Sequence, residues 1–194
     1  MALTERRREK FLAVARRRQP GLTVVLENIH DPHNVSAVLR SCDAVGILQV
    51  ELLYTVEKFP RIGRKSSSSA SKWVKRRQHR SVEECYRTLH QEGFRIYATH
   101  LMGDAVELYD LELAGNVAFV FGNEHRGVSR EAAATADANF RIPMMGMIQS
   151  LNVSVAAAVC LYEALRQRTI AGLYEQPALP KPQLESLLNE WHAR

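Results

Sequence analysis

The sequence predicts an α/β domain built on a mostly parallel sheet, with a basic helix before it and a short helix after it. Apolar, β-branched runs of strand length alternate with helical stretches along the chain. Its 194 residues are enough for one core of ordinary size. No internal repeat and no low-complexity stretch breaks the alternation.

Leu3, Phe11, Leu12 and Ala15 give a basic N-terminal helix that stops at Gln19-Pro20-Gly21, a turn and helix-breaking signal. Leu22 to Leu26 (LTVVL) suits a buried strand. A polar loop, Glu27 to His33, leads to a helix from Asn34 to Val45, with Asn34 as its expected N-cap and Gly46 near its close. A strand follows at Val50 to Tyr54, then the basic, serine-rich stretch 58–72, too polar for core. Ser81-Val82-Glu83-Glu84 opens a helix with a capping serine and an acidic first turn, ending near Gly93. Strands are expected at Phe94 to Thr99, Val117 to Phe121 and Asn139 to Ile142, with a short alanine-rich helix from Ser129 to Ala136 between the last two. A long helix runs from Asn152 to Thr169, and residues 181–192 form a short amphipathic one after Pro177, Pro180 and Pro182. The expected organisation is a basic extension over 1–20, a main domain over 21–172 and a tail over 173–194.

Composition narrows the class. No apolar run approaches the roughly 18–20 residues needed to span a bilayer, and the first ten residues carry charge rather than a hydrophobic stretch. Cys42, Cys85 and Cys160 are odd in number and widely spaced, which fits neither a disulfide framework nor a cysteine zinc site. A reduced, cytoplasmic protein is expected.

The formal charge of +5 is unevenly placed. Residues 1–20 hold seven basic and two acidic residues, and residues 58–80 hold nine basic and no acidic ones. The other 151 positions carry net charge −9. Two basic blocks on an acidic body, the second set with Ser66 to Ser69 and Ser71 and followed by Trp73, fit a polyanion surface of the kind that binds nucleic acid. The alternative for each block is a solvated helix face or loop.

Three loop-bound patches carry the chemistry. The first, Asn28-Ile29-His30-Asp31-Pro32-His33-Asn34, leads to Arg40 among apolar neighbours, where an arginine needs an anionic partner. That partner is either a ligand or a structural acid such as Asp43 or Glu124. His30-x-x-His33 beside Asp31 lacks a third ligand at metal spacing, so no metal is expected. The second patch, Phe121 to Ser129 (FGNEHRGVS), puts two glycines in a strand-to-helix turn where backbone can approach a ligand. It lacks the G-x-G-x-x-G dinucleotide fingerprint. The third, Ile142 to Ser154 (IPMMGMIQSLNVS), is an apolar loop that opens into the long helix. It could hold an adenine in an apolar slot, or be an ordinary core loop with an N-cap.

Taken in order, ENIHDPHNVSAVLRSCDAVG, VFGNEHRGVS and IPMMGMIQSLNVSVAAAV resemble the three motifs of the SpoU branch of the SPOUT methyltransferases. The likeness extends through Arg18-Gln19-Pro20, residues 71–74 and the tail after Arg168, and is nearest to members that methylate the ribose 2'-hydroxyl of guanosine 18 in the tRNA D-loop. It implies a SPOUT-type fold with a deep C-terminal trefoil knot, a homodimer and a site for S-adenosyl-L-methionine in loops 122–129 and 143–152. Spacing alone argues against a knot, which is among the rarest topologies. By the resemblance Thr99, Gly122, Ile142 and Leu151 touch the cofactor, and Arg40, Asn34, Glu124, Ser150 and Asn152 serve the reaction. It further implies that Arg40 activates the hydroxyl. A guanidinium is costly to deprotonate, so clamping an RNA phosphate that takes the proton is the alternative. Glu124 would position Arg40 or residues of a second copy. His125-Arg126 departs from the family pattern.

Charge then assigns RNA docking, of a tRNA by the resemblance, to Arg6, Arg7, Arg8, Arg16, Arg17, Arg18, Lys65, Lys72, Arg166 and Arg168. Competing expectations are a SpoU-type enzyme acting on ribosomal RNA or the tRNA anticodon, and a noncatalytic RNA-binding protein on the same fold.

Overall fold

The computed structural model describes residues 4–60, 70–100 and 105–194. Among these, seven strands form one parallel sheet: β1 (Leu22–Glu27), β2 (Gln49–Leu53), β3 (Lys75–His79), β4 (Arg95–Thr99), β5 (Val106–Glu107), β6 (Val117–Phe121) and β7 (Ala138–Arg141). Their spatial order is β3-β2-β1-β6-β4-β7-β5. Six helices accompany them: α1 (Glu5–Ala15), α2 (Pro32–Ala44), α3 (Val82–Gln91), α4 (Arg130–Thr135), α5 (Val153–Ile170) and α6 (Lys181–His192).

The centre of the sheet is where the sequence is most uniformly apolar. β1 and β6 are buried along their whole length and pair from Leu22 with Val117 to Leu26 with Phe121. Strands covered on both faces read as continuous hydrophobic runs, as LTVVL and VAFVF do. The two-residue period of the strand sorts their side chains. Val24, Leu26, Phe119 and Phe121 enter a core with α2 and α5 residues, among them Val38, Leu39 and Leu161. Val25, Ala118 and Val120 enter a second core with Leu89 of α3 and Ala132 of α4.

Helix starts follow local chemistry. Ser81 accepts from Glu84 N, Ser129 from Ala132 N and Asn152 from Ser154 N, each capping the helix that follows. The start of α2 differs from the expected one. Asp31, not Asn34, is its N-cap, with the aspartate accepting from His33 N at 2.8 Å. Pro32 explains this shift of three positions, because proline suits the first helical position and the residue just before it becomes the cap. Asn34 is thereby inside the helix and its side chain is free for other partners.

Two strands escape hydrophobic periodicity. β5 has only two residues. β3 reads KRRQH, within the stretch expected to be a basic docking surface. It forms because its backbone pairs with β2 and its inward side chains meet an acid. Glu51 of β2, 1% exposed, accepts from Arg77 Nε at 2.8 Å and lies 2.6 Å from His79 Nε2. Burial pushes this carboxyl up, but the bonds from His79, Arg77 and Gln49 outweigh it and hold it below the ordinary range. Lys65 and Ser66 to Ser69 lie outside the described residues.

Two arginines assigned to RNA docking belong to the interior. Arg18 is fully buried; it donates to Asp43 Oδ1 (2.6 Å) and Ile47 O (2.9 Å) and lies over the Trp191 ring. Phe11, Trp73, Leu187 and Trp191 surround that contact, so α1 and α6 meet in one aromatic cluster. Arg168, 3% exposed, donates to Leu113 O, Gln19 Oε1, Gly21 O and Gly115 O, and so ties α5 to the segments that precede β1 and β6. A buried guanidinium needs such acceptors, and burial keeps both arginines out of reach of a phosphate. Among the described residues no helix is long and apolar enough to cross a membrane.

Arg168→Met therefore acts on stability. Urea unfolding should show a loss on the order of 3 kcal/mol, because several buried acceptors lose their donor. Unchanged stability with weakened RNA binding would return Arg168 to the docking surface.

Candidate active site

A parallel sheet delivers the carboxyl ends of its strands to one edge, where open α/β folds bind ligands. The loop 28–31 leaves β1 there, Thr99 ends β4, the loop 122–128 leaves β6 and Ile142 follows β7. The N-terminus of α5 reaches the same edge with Asn152. Thr99, the loop 122–128, Ile142 and the α5 N-terminus line a cavity of about 630 Å³, which the loop 28–31 does not reach. Thr99, Gly122, Ile142 and Leu151, expected to touch a cofactor, all line it, as do Glu124, Ser150 and Asn152. Its volume is within the range of small-molecule sites, and its walls mix apolar side chains with a few polar groups.

Gly122 shapes the near wall. A Cβ there would overlap the backbone of Gly127 and Val128, so the loop can fold back on itself only with glycine at this position. Gly127 N donates to Asn123 O at 2.8 Å, and Gly127 has φ 68°. Asn123 is 6% exposed and its Oδ1 accepts from His125 N (3.0 Å) and Arg126 N (3.3 Å).

Glu124 projects from this folded loop toward the loop after β1. Its carboxylate accepts from His30 N (3.0 Å), Asp31 N (3.1 Å) and Asn34 Nδ2 (2.9 Å). Asn34 Oδ1 accepts in turn from Asn152 Nδ2 at 3.1 Å, while Asn152 Oδ1 caps α5. Three segments distant in sequence are thus joined by one run of hydrogen bonds. Burial pushes the Glu124 carboxyl up, but the bonds from Asn34, His30 and Asp31 prevail and keep it below its ordinary range. It is ionised at neutral pH with its lone pairs engaged, which makes it an orienting group rather than a proton acceptor.

Arg40 stands apart. It is exposed on α2 and does not line the cavity. Neither acid considered as its partner is available, since Glu124 holds the β1 loop and Asp43 holds Arg18. The departure His125-Arg126 also finds a place. Arg126 Nη2 donates to Glu57 Oε1 at 2.8 Å, and the other oxygen of Glu57 lies 3.6 Å from His30 Nδ1.

The remaining docking candidates divide. Arg6, Arg7, Arg8, Arg16, Arg17 and Lys72 are exposed. Arg166 is exposed but donates twice to Glu163, at 2.9 and 2.8 Å. Asn28 and Asn123 lie in the patches singled out from the sequence but without a role of their own, and Glu57 lies in none of them. Asn28 alone carried a signal, because asparagine tolerates a left-handed turn after a strand better than other residues with a Cβ.

The chain is similar to known proteins in sequence and in fold. The SpoU rRNA Methylase family model matches residues 21–162. The tRNA (guanosine(18)-2'-O)-methyltransferase of Thermus thermophilus is 48% identical over 97% of this chain and 96% of that protein. The TrmH/SpoU tRNA modifying enzyme of A. aeolicus superposes with TM-score 0.91 at 35% identity, over 97% of this chain and 96% of its own. The SpoU methyltransferase AviRb from Streptomyces viridochromogenes, in complex with the cofactor AdoMet, has TM-score 0.68 at 25% identity, over 79% of this chain and 62% of its own.

Because the Gly122 position admits no side chain, Gly122→Ala must open the loop 122–128. Calorimetry should find S-adenosylmethionine binding weakened about tenfold or more, which is about 1.4 kcal/mol. Wild-type affinity in a folded variant would mean that this loop does not form the cofactor wall.

Proposed function

Because the chain belongs to the SpoU methylase family, we propose that it transfers a methyl group from S-adenosyl-L-methionine to the ribose 2'-hydroxyl of guanosine 18 in tRNA. The observation that carries the substrate is the end-to-end likeness to a protein named for that reaction, which includes α1 and α6 as well as the region matched by the family model.

The cavity suits the cofactor. Leu151, Ile142, Met144 and Val128 offer apolar contact for an adenine, and the folded loop at Gly122 brings backbone polar groups to its edge. When bound, the cofactor supplies a methyl group on a positively charged sulfur. Transfer breaks that carbon–sulfur bond, forms a carbon–oxygen bond to the ribose and releases the hydroxyl proton. The chain's work is mainly positioning. Glu124 fixes Asn34, Asn34 fixes Asn152, and Ser150 and Asn152 at the cavity wall orient the ribose. Arg40 keeps its proton and clamps an RNA phosphate, which accepts the proton from the hydroxyl; its exposure and its lack of an acidic partner among the described residues support this.

RNA docks through Arg6, Arg7, Arg8, Arg16, Arg17 and Lys72, so the terminal segments 1–20 and 173–194 serve as additions around the methyltransferase domain 21–172. The working form is a homodimer. Met145 and Met147 are 94% and 100% exposed, and Ile148, Val155 and Tyr162 lie open on the same loop and on α5. Such apolar exposure fits a face covered by a second copy. Loops 122–129 and 143–152, which line one cavity, would form the trefoil knot.

The test is tritiated methyl transfer to an unmodified tRNA transcript, beside a transcript with guanosine 18 replaced and beside ribosomal RNA. Label should appear on the intact tRNA and vanish with the replacement, and Arg40→Lys should retain part of it. Label on ribosomal RNA alone would overturn the substrate. No label on any RNA despite cofactor binding would favour a noncatalytic RNA-binding protein, and a dead Arg40→Lys with intact binding would overturn the clamp.

A further inference from the structure

Asn28 does not line the cofactor cavity, yet its side chain makes four hydrogen bonds. It has φ 50°, and among the described residues no other non-glycine residue has a positive φ. Asparagine adopts this left-handed conformation more readily than other residues with a Cβ, and a residue held there is one the surrounding structure over-determines. Asn28 is 7% exposed, and all of its polar atoms are used.

Its Oδ1 accepts from three consecutive backbone groups, Thr55 N (3.0 Å), Val56 N (3.0 Å) and Glu57 N (3.1 Å). Its Nδ2 donates to Thr55 Oγ1 at 3.2 Å. Its backbone N donates to Leu53 O at 3.0 Å, and its carbonyl accepts from Asn123 Nδ2 at 2.8 Å. One residue therefore fixes the turn after β2 and the start of the loop after β6.

Both contacts lead to Glu124. On one side, Asn123 receives its restraint from the Asn28 carbonyl and spends its own Oδ1 on His125 N and Arg126 N, the two residues after Glu124. On the other, the turn held by Asn28 carries Glu57, which binds Arg126 and faces His30. Glu124 thus sits on a loop that is pinned on both sides through Asn28. We propose that Asn28 is a positioning residue for methyl transfer, acting through Asn123 and the 55–57 turn to hold Glu124 against Asn34; this rests on the methyltransferase reading above.

Two variants separate position from bulk stability. Asn28→Gly accepts the same backbone conformation but deletes every side-chain bond. Asn28→Asp keeps the acceptor for the three N–H groups and can take a bond from the Thr55 hydroxyl. For each, kcat per folded molecule and KM for tRNA are measured, together with calorimetric S-adenosylmethionine affinity without RNA. Asn28→Gly should lower kcat by about ten- to a hundredfold, as expected when a reacting group is displaced by about an ångström. KM for tRNA should stay within about twofold, cofactor affinity should fall about fivefold, and Asn28→Asp should restore kcat to within a few-fold. Wild-type kcat and cofactor affinity in folded Asn28→Gly would overturn the assignment, as would equal losses in both variants.

If Asn28→Gly does not fold, Asn123→Asp takes its place: it turns the donation to the Asn28 carbonyl into an oxygen–oxygen repulsion while keeping the acceptor for His125 N and Arg126 N. A similar drop in kcat supports the proposal, and wild-type kcat and cofactor affinity overturn it. The affinity measurement needs no RNA, so it judges Asn28 even if tRNA proves not to be the substrate.

Discussion

The carboxylate of Glu124 receives two backbone N–H groups from the loop after β1 and one side-chain amide from the first turn of α2, and the shape of the candidate site depends on that convergence. Without it, the loops after β1 and β6 would still meet through Asn28 and Asn123, but Asn34 would lose the acceptor that orients it. With it, Asn34 is oriented to meet Asn152, and the α5 N-terminus closes the cavity. Several charge-assisted hydrogen bonds on one carboxylate are stronger than neutral ones and fix direction as well as distance. The parallel sheet makes this possible by bringing all three segments to one edge, and Gly122 lets the middle one fold tightly enough to aim Glu124 back at the first.

Arginine serves two opposed purposes in this chain, and burial separates them. Arg18 and Arg168 are surrounded by acceptors that the fold supplies, and their removal would leave those acceptors unsatisfied. Arg6, Arg7, Arg8, Arg16 and Arg17 stand in solvent along and just after α1, where the cost of desolvation is absent and a polyanion can reach them. A large share of the positive charge near residue 77 is internally balanced as well, since Arg77 is shared between Glu51 and Glu92. The net charge of the basic blocks therefore overstates the surface that an RNA would meet.

Much of the fold was legible because the decisive signals are local. Leu22 to Leu26 and Val117 to Phe121 are apolar over a strand's length, and Ser81 and Ser129 cap the helices they were expected to open. The errors arise where a partner far along the chain decides. β3 is a strand because β2 pairs with it and Glu51 receives its side chains, which no periodicity in KRRQH reveals. Arg168 is interior because Gln19 lies 149 residues away in sequence and within bonding distance in space. The site divides in the same way. Its motifs could be recognised by resemblance, but the bond from Asn152 to Asn34 spans 118 positions and the one from Asn34 to Glu124 spans 90. Nothing in residue type announces those two bonds.

The central claim is that Glu124, Asn34 and Asn152 act as one unit, and a double-mutant cycle in kcat tests it most directly. Glu124→Gln, Asn152→Ala and the double variant would be compared with wild type in the same methyl-transfer assay. Residues that act together give strongly non-additive losses. The double variant should be little slower than the worse single variant. Losses that multiply, as for independent groups, would contradict it.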